Sequence, residues 1–199
     1  MKRIHPTAKI SRSAIVEDGA KIGARTVVME FAIIRSCVEV GKDCEIMERV
    51  ILGALPVSYS RLVRKPPLFG VVVGDRVHFH SSVVVFRGMK RPTTIGDDCA
   101  LGSQSTLGHD TRLGNMVMVQ NHSTIAGWAE IEDFVTIHIN CTVRERIKIG
   151  FNVTVGMGSN VTKDIPSNSV AFGNPCRRIR RRENPIKFFA RRIRDCFLI

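Results

Sequence analysis

Ile95-Gly-Asp-Asp-Cys-Ala, Leu101-Gly-Ser-Gln-Ser-Thr, Leu107-Gly-His-Asp-Thr-Arg, Leu113-Gly-Asn-Met-Val-Met and Val119-Gln-Asn-His-Ser-Thr follow one another without a gap. Each block of six opens on a branched aliphatic residue. The same position continues through Ile125, Ile131, Ile137, Val143, Ile149, Val155 and Val161. Upstream it reads Ile4, Ile10, Val16, Ile22, Val28, Ile34, Val40, Ile46 and Leu52, and after a shift Val73, Phe79 and Val85. Four residues after each aliphatic stands a mostly small residue, such as Ala8, Ala14, Thr26, Cys44, Cys99, Ser105 and Ala129. A period of six drifts around an α-helix and gives it no constant apolar face. One short strand and one turn per hexad explain it, since alternation along a strand points one large and one small residue inward. Gly often follows the aliphatic, as at Gly23, Gly41, Gly74, Gly96, Gly102, Gly108 and Gly114. It is expected there for the backbone angles that only glycine takes easily.

Three hexads close a triangular coil of 18 residues, and coils stack at roughly 4.8 Å, the spacing of hydrogen-bonded strands. The fold class is all-β, a parallel β-helix whose stacked aliphatics form one continuous core. Cysteines at the small inward positions read as core filler. Residues 1–176 form the β-helix domain, interrupted by surface insertions at 57–69 and 87–93. Residues 177–199 form a short basic tail. It holds eight Arg and carries +7 of the +12 net charge. A helix is expected from Pro185, with Phe188, Phe189, Ile193 and Phe197 on one face, so the tail is partly helical. Packing of this tail on the coil, or partial disorder, is preferred over contact with an anionic membrane surface.

The 199 residues contain no apolar run long enough for a transmembrane helix, no signal-peptide core after Met1 and no Cys-x-x-Cys pair. A reducing cytoplasm is the expected location. The mild basicity of the body suits a phosphate-bearing partner, and no nucleic-acid partner is expected. Leu107 and Ile125 are one coil apart. His109 and Gly127, each two residues further on, therefore fall on the same corner. A neutral imidazole suits proton abstraction, and a backbone N–H suits an oxyanion.

Several segments resemble the left-handed β-helix acyltransferases, in particular the UDP-N-acetylglucosamine acyltransferases of lipid A synthesis. They are Ile4-His-Pro-Thr-Ala8, Ile51-Leu-Gly-Ala-Leu-Pro56, the central strands from Val73 to Gly88, Gly108-His-Asp110, Asn121-His-Ser-Thr-Ile-Ala-Gly127, Val161-Thr-Lys-Asp-Ile-Pro166 and Gly173-Asn-Pro175. The closing segment is also similar to that of acetyltransferases acting on nucleotide-linked amino sugars. Spacing does not fix the hand of the coil; the resemblance implies the left-handed form. It also implies acyl transfer with His109 as general base, Asp110 orienting the imidazole and the Gly127 amide as oxyanion donor. Ser58, Asn121, His122 and Trp128 are the implied substrate contacts, and the implied assembly is a homotrimer with sites between subunits. Position and charge make Lys163, Arg177 and Arg178 candidates for the phosphates of coenzyme A.

The chain departs from the family at Ser58, where an acid is usual, and at Thr106 and Trp128, where histidines are usual. The long C-terminal domain is reduced to the tail. These departures suit a smaller relative that transfers acetyl from acetyl-CoA to an amino or hydroxyl group of a nucleotide-linked sugar in surface-polysaccharide synthesis. The alternatives are an acyl-carrier-protein-dependent enzyme of lipid A type and a non-catalytic scaffold. No metal is expected: five residues beyond His109, where some metal-binding β-helices carry a second histidine, stands Gly114.

Overall fold

A computed structural model of the chain describes residues 3–56 and 69–182. Every described element is a strand, mostly of two residues, so among the described residues no helix is long and apolar enough to cross a membrane. The strands form three parallel sheets of a left-handed β-helix of about nine coils. The first sheet runs from Arg3–Ile4 through Thr93–Ile95, Arg112–Leu113 and Glu130–Ile131 to Lys148–Ile149. The second starts at Lys9–Ile10. The third runs from Ile15–Val16 to Asn160–Val161. Each strand pairs with the strand one coil away, as Leu107 with Ile125 and Leu113 with Ile131. Three corners join the sheets: first to second, second to third, and third back to first.

The aliphatic column is the core. Leu52, Phe79, Leu101, Leu107, Ile125, Ile137 and Val155 are buried, as are the small residues Ser105, Thr111, Ala129, Cys141 and Ser159 four positions after the last five. The small polar residues there also link coils. Cys44 Sγ donates to the Gly74 carbonyl at 3.2 Å, Cys99 Sγ to Gly114 at 3.1 Å and Cys141 Sγ to Gly156 at 3.1 Å. Thr26 and Ser123 hydroxyls do the same at 2.8 Å. Burial pushes the Cys99 thiol up to about 12, which keeps it a proton donor.

The glycines after the aliphatics serve another purpose than expected. None of Gly23, Gly41, Gly74, Gly96, Gly102, Gly108 and Gly114 has a positive φ. The left-handed conformation falls two residues later, on Arg25, Asp43, Arg76, Asp98, Gln104, Asp110, Met116 and their equivalents. There it turns the amide toward the preceding coil, as Met116 N–H to the Asp97 carbonyl at 2.8 Å. The glycines instead allow close stacking. A Cβ on Gly96 would lie 2.6 Å from Asn115 Oδ1, and one on Gly102 2.5 Å from the Asn121 nitrogen.

The basic tail begins as a strand. Arg177–Arg181 pairs antiparallel with Ser169–Phe172 at the end of the second sheet, so hydrogen bonding crosses the expected 176/177 boundary. Ser58 and the helix expected from Pro185 lie outside the described residues.

Candidate active site

The third corner carries His109, Asp110, Gly127 and Trp128. Going up the coils, the second residue after the aliphatic is His109, Gly127, Glu145 and Lys163. The third is Asp110, Trp128 and Arg146. Both insertions also leave from this corner, after Ile51–Ala54 and after Val84–Phe86 of the third sheet.

His109 Nδ1 lies 2.7 Å from Asp110 Oδ2. Asp110 is fully buried, at a φ of 60°. Three amides of the second insertion donate to its carboxylate: Met89 at 2.9 Å, Lys90 at 2.7 Å and Arg91 at 2.8 Å. Its own amide donates to Thr93 Oγ1 at 2.9 Å. Burial pushes the Asp110 carboxyl up. The amides of Lys90 and Met89, then His109, then the Arg91 amide, outweigh burial and hold it below the ordinary carboxylate range. An ionised carboxylate accepts only, so in the neutral ring His109 Nδ1 carries the proton and Nε2 presents the lone pair.

Two glycines clear the space around this dyad. A Cβ on Gly127 would lie 2.8 Å from His109 Cε1 and 2.9 Å from Nε2. One on Gly108 would lie 2.5 Å from the Gly127 nitrogen. At the first corner the corresponding amides are satisfied by Asp or Asn of the next coil. The Gly127 N–H has no acceptor among the described residues. The corner therefore sets a free N–H beside a basic imidazole nitrogen, the two groups that addition to a carbonyl requires.

Trp128 stands edge-on to the His109 ring at 5.9 Å. The cations of Lys90, Arg91 and Arg146 lie 5.8–5.9 Å from the Trp128 ring centre. These four residues with Glu130, Ile147 and Lys148 line a cleft of about 430 Å³. From sequence, Met89, Lys90 and Arg91 belong to the basic 87–93 insertion, whose cations suit a phosphate, whereas Arg146 carries no such mark. Arg146 was within reach of that reading, because it lies one coil above Trp128.

The other candidates are dispersed. Lys163 is on this corner, three coils above His109 and so about 14 Å along the axis. Asn121 and His122 are at the second corner, where Asn121 Oδ1 accepts from the Ser103 amide at 3.0 Å. Arg177 and Arg178 lie on the last strand of the second sheet, apart from Lys163. Among the described residues, no three His, Cys, Asp or Glu side chains come together as a metal site would require.

A family of sequences described as the hexapeptide repeat of succinyl-transferase matches residues 92–125. Among solved structures, the UDP-N-acetylglucosamine acyltransferase of Campylobacter jejuni superposes with a TM-score of 0.77 at 23% identity, over 98% of this chain and 84% of that one. The Bacteroides fragilis enzyme of the same name gives 0.75 at 24%, over 96% and 76%. The Arabidopsis enzyme gives 0.66 at 18%, over 94% and 75%. At such identities the likeness is one of fold: this chain shares the left-handed β-helix of these acyltransferases, built from hexapeptide repeats.

Proposed function

We propose that the protein is an acyltransferase acting on a nucleotide-linked sugar. The observation that carries this reading is the His109–Asp110 pair beside Gly127, whose N–H has no acceptor among the described residues. The shared fold of UDP-N-acetylglucosamine acyltransferases supports it. In this mechanism Nε2 of His109 takes a proton from the acceptor hydroxyl or amine as that atom attacks the thioester carbonyl. The Gly127 N–H stabilises the resulting oxyanion. Collapse breaks the C–S bond, and the imidazolium returns the proton to the departing thiolate. Asp110 selects the neutral tautomer with its proton on Nδ1 and stabilises the imidazolium that follows.

Acetyl-CoA is the proposed donor and an acyl carrier protein the alternative. The proposed assembly is a homotrimer. The outward residues of the third sheet, Ile15, Ile33, Ile51, Val84, Thr106, Thr124, Thr142 and Asn160, carry no charge. Those of the first sheet include Arg3, Lys21, Glu39, Arg112, Glu130 and Lys148. An uncharged face adjoining the His109 corner suits a neighbouring subunit that completes the site.

The test is thiol release from acetyl-CoA, and from acyl carrier protein thioesters, over a panel of nucleotide-linked sugars. Turnover with one acceptor that falls about 10²–10⁴-fold in His109→Ala supports the reading. Equal turnover in the variant removes His109 from its role. No thiol release from either donor leaves the scaffold.

A further inference from the structure

Lys90 and Arg146 line one cleft without a carboxylate partner. The cations around them are neutralised: Arg91 binds Glu130 at 2.9 Å, and Lys148 binds Glu132 at 2.8 Å. Among the described residues, no acid pairs with Lys90 or Arg146. Both are anchored through the backbone at the dyad. The Lys90 amide donates to Asp110, and the Arg146 amide donates to the Gly127 carbonyl at 3.1 Å. Their charged ends converge on Trp128, 5.9 and 5.8 Å from its ring centre. The cleft they line contains four cations and a single acid, Glu130. An indole face offsets little of an exposed cation's charge, so like charges gathered here lack a counterpart.

We propose that Lys90, Arg146 and Trp128 form a diphosphate-binding subsite beside His109. Two adjacent phosphates carry the charge that two separate cations would match, and the indole offers a flat apolar wall to whatever the diphosphate joins. In turnover, which rests on the acyl-transfer reading, a diphosphate seated here would tether its substrate within reach of Nε2. The diphosphate has two possible sources, the nucleotide-linked acceptor and coenzyme A.

Trp128 is the only tryptophan in the chain, so its emission reports on this subsite without any catalysis. The experiment titrates the full-length protein with inorganic pyrophosphate and follows that emission. A saturable change is expected, with an affinity that weakens as salt rises. Lys90→Gln and Arg146→Gln should each weaken binding about tenfold, whereas Arg12→Gln at the far end of the coil should leave it unchanged. The same titrations with a uridine-diphosphate sugar and with coenzyme A separate the sources, because only the ligand seated here loses affinity in the two variants. His109→Ala should still bind pyrophosphate. Absence of a saturable change, or unchanged affinity in the Lys90→Gln/Arg146→Gln double variant, overturns the subsite even where acyl transfer is observed. Pyrophosphate binding that depends on both residues, without thiol release from any donor, retains the subsite and removes the acyl-transfer reading.

Discussion

Asp110 occupies a left-handed backbone conformation that costs an ordinary side chain roughly 1–2 kcal/mol. It is held there by five hydrogen bonds: one from its own amide to Thr93, one with His109, and three from Met89, Lys90 and Arg91. Asp110→Asn keeps the volume but changes the chemistry. A carboxamide that donates to Nδ1 leaves the proton on Nε2, so the base is lost. Turnover should fall by about 10²–10⁴-fold in the thiol-release assay. The buried amides also lose an ionised acceptor, at a cost of about 1–3 kcal/mol in denaturant unfolding at neutral pH. The sign of the pH dependence follows from the lowered value. The carboxylate's contribution is complete above its ordinary value of 3.8 and is lost as pH falls through the lower folded value. The stability gap between wild type and variant should therefore narrow in acid, and a gap that widened there would contradict this account. The pairing of His109 with Gly127 was legible in the sequence because 18 residues is one coil. The partners of Asp110 were not, because the 87–93 insertion has no period from which its amides could be placed.

At the scale of the hexad, glycine and aspartate at the first corner act as a pair across coils. Asp75 Oδ1 accepts from the Lys42 amide at 2.9 Å, Asp97 from Asp75 at 2.9 Å, Asn115 from Asp97 at 2.9 Å and Asp133 from Asn115 at 2.7 Å. Each of these side chains runs back through space that a Cβ on the preceding coil's glycine would fill. The column stacks carboxylates at about one strand spacing. Arg76 relieves the lower part, lying 4.0 Å from Asp75 and 3.7 Å from Asp97. Asn115 separates Asp97 from Asp133 with a neutral acceptor of the same shape. Asn115→Asp keeps the hydrogen bond and adds a third charge between two others, which should destabilise the protein by about 1–2 kcal/mol at neutral pH. Thermal unfolding at pH 7 and at acid pH checks this. The loss should shrink in acid and in high salt, and a loss unaffected by both would mean a steric cause. The hexads were legible because a buried aliphatic at every sixth place is a strong constraint on sequence. The conformational role of the turn was not, because its left-handed position accepts Arg, Phe, Asp, Met and Trp alike and leaves no glycine to mark it.

Across the whole molecule, each coil touches only its neighbours, so stability is distributed along the axis and the two ends differ. At the N-terminal end Ile4, Ile10 and Val16 are only partly buried, since among the described residues no coil lies beneath them. The C-terminal end is closed differently. After Ser169–Phe172 the chain reverses, and Arg177–Arg181 completes the second sheet as an antiparallel strand. Nothing in the hexad pattern announces that strand, because its residues are all exposed and mostly arginine. It is fastened by the next residue. Arg182 is buried, its amide donates to the Asn168 carbonyl at 2.9 Å, and its guanidinium reaches the carbonyls of Val153 at 3.3 Å and Phe134 at 3.4 Å. Arg182→Ala removes the donor to two carbonyls from separate coils, at a cost of about 1–3 kcal/mol. In a one-dimensional stack that cost should stay local. Amide hydrogen exchange should accelerate between residues 169 and 181 and fade within a coil or two below Val153. Residues 3–20 should exchange as in wild type. Faster exchange spread evenly along all coils would instead mean that the β-helix unfolds as one cooperative unit and that Arg182 stabilises it globally.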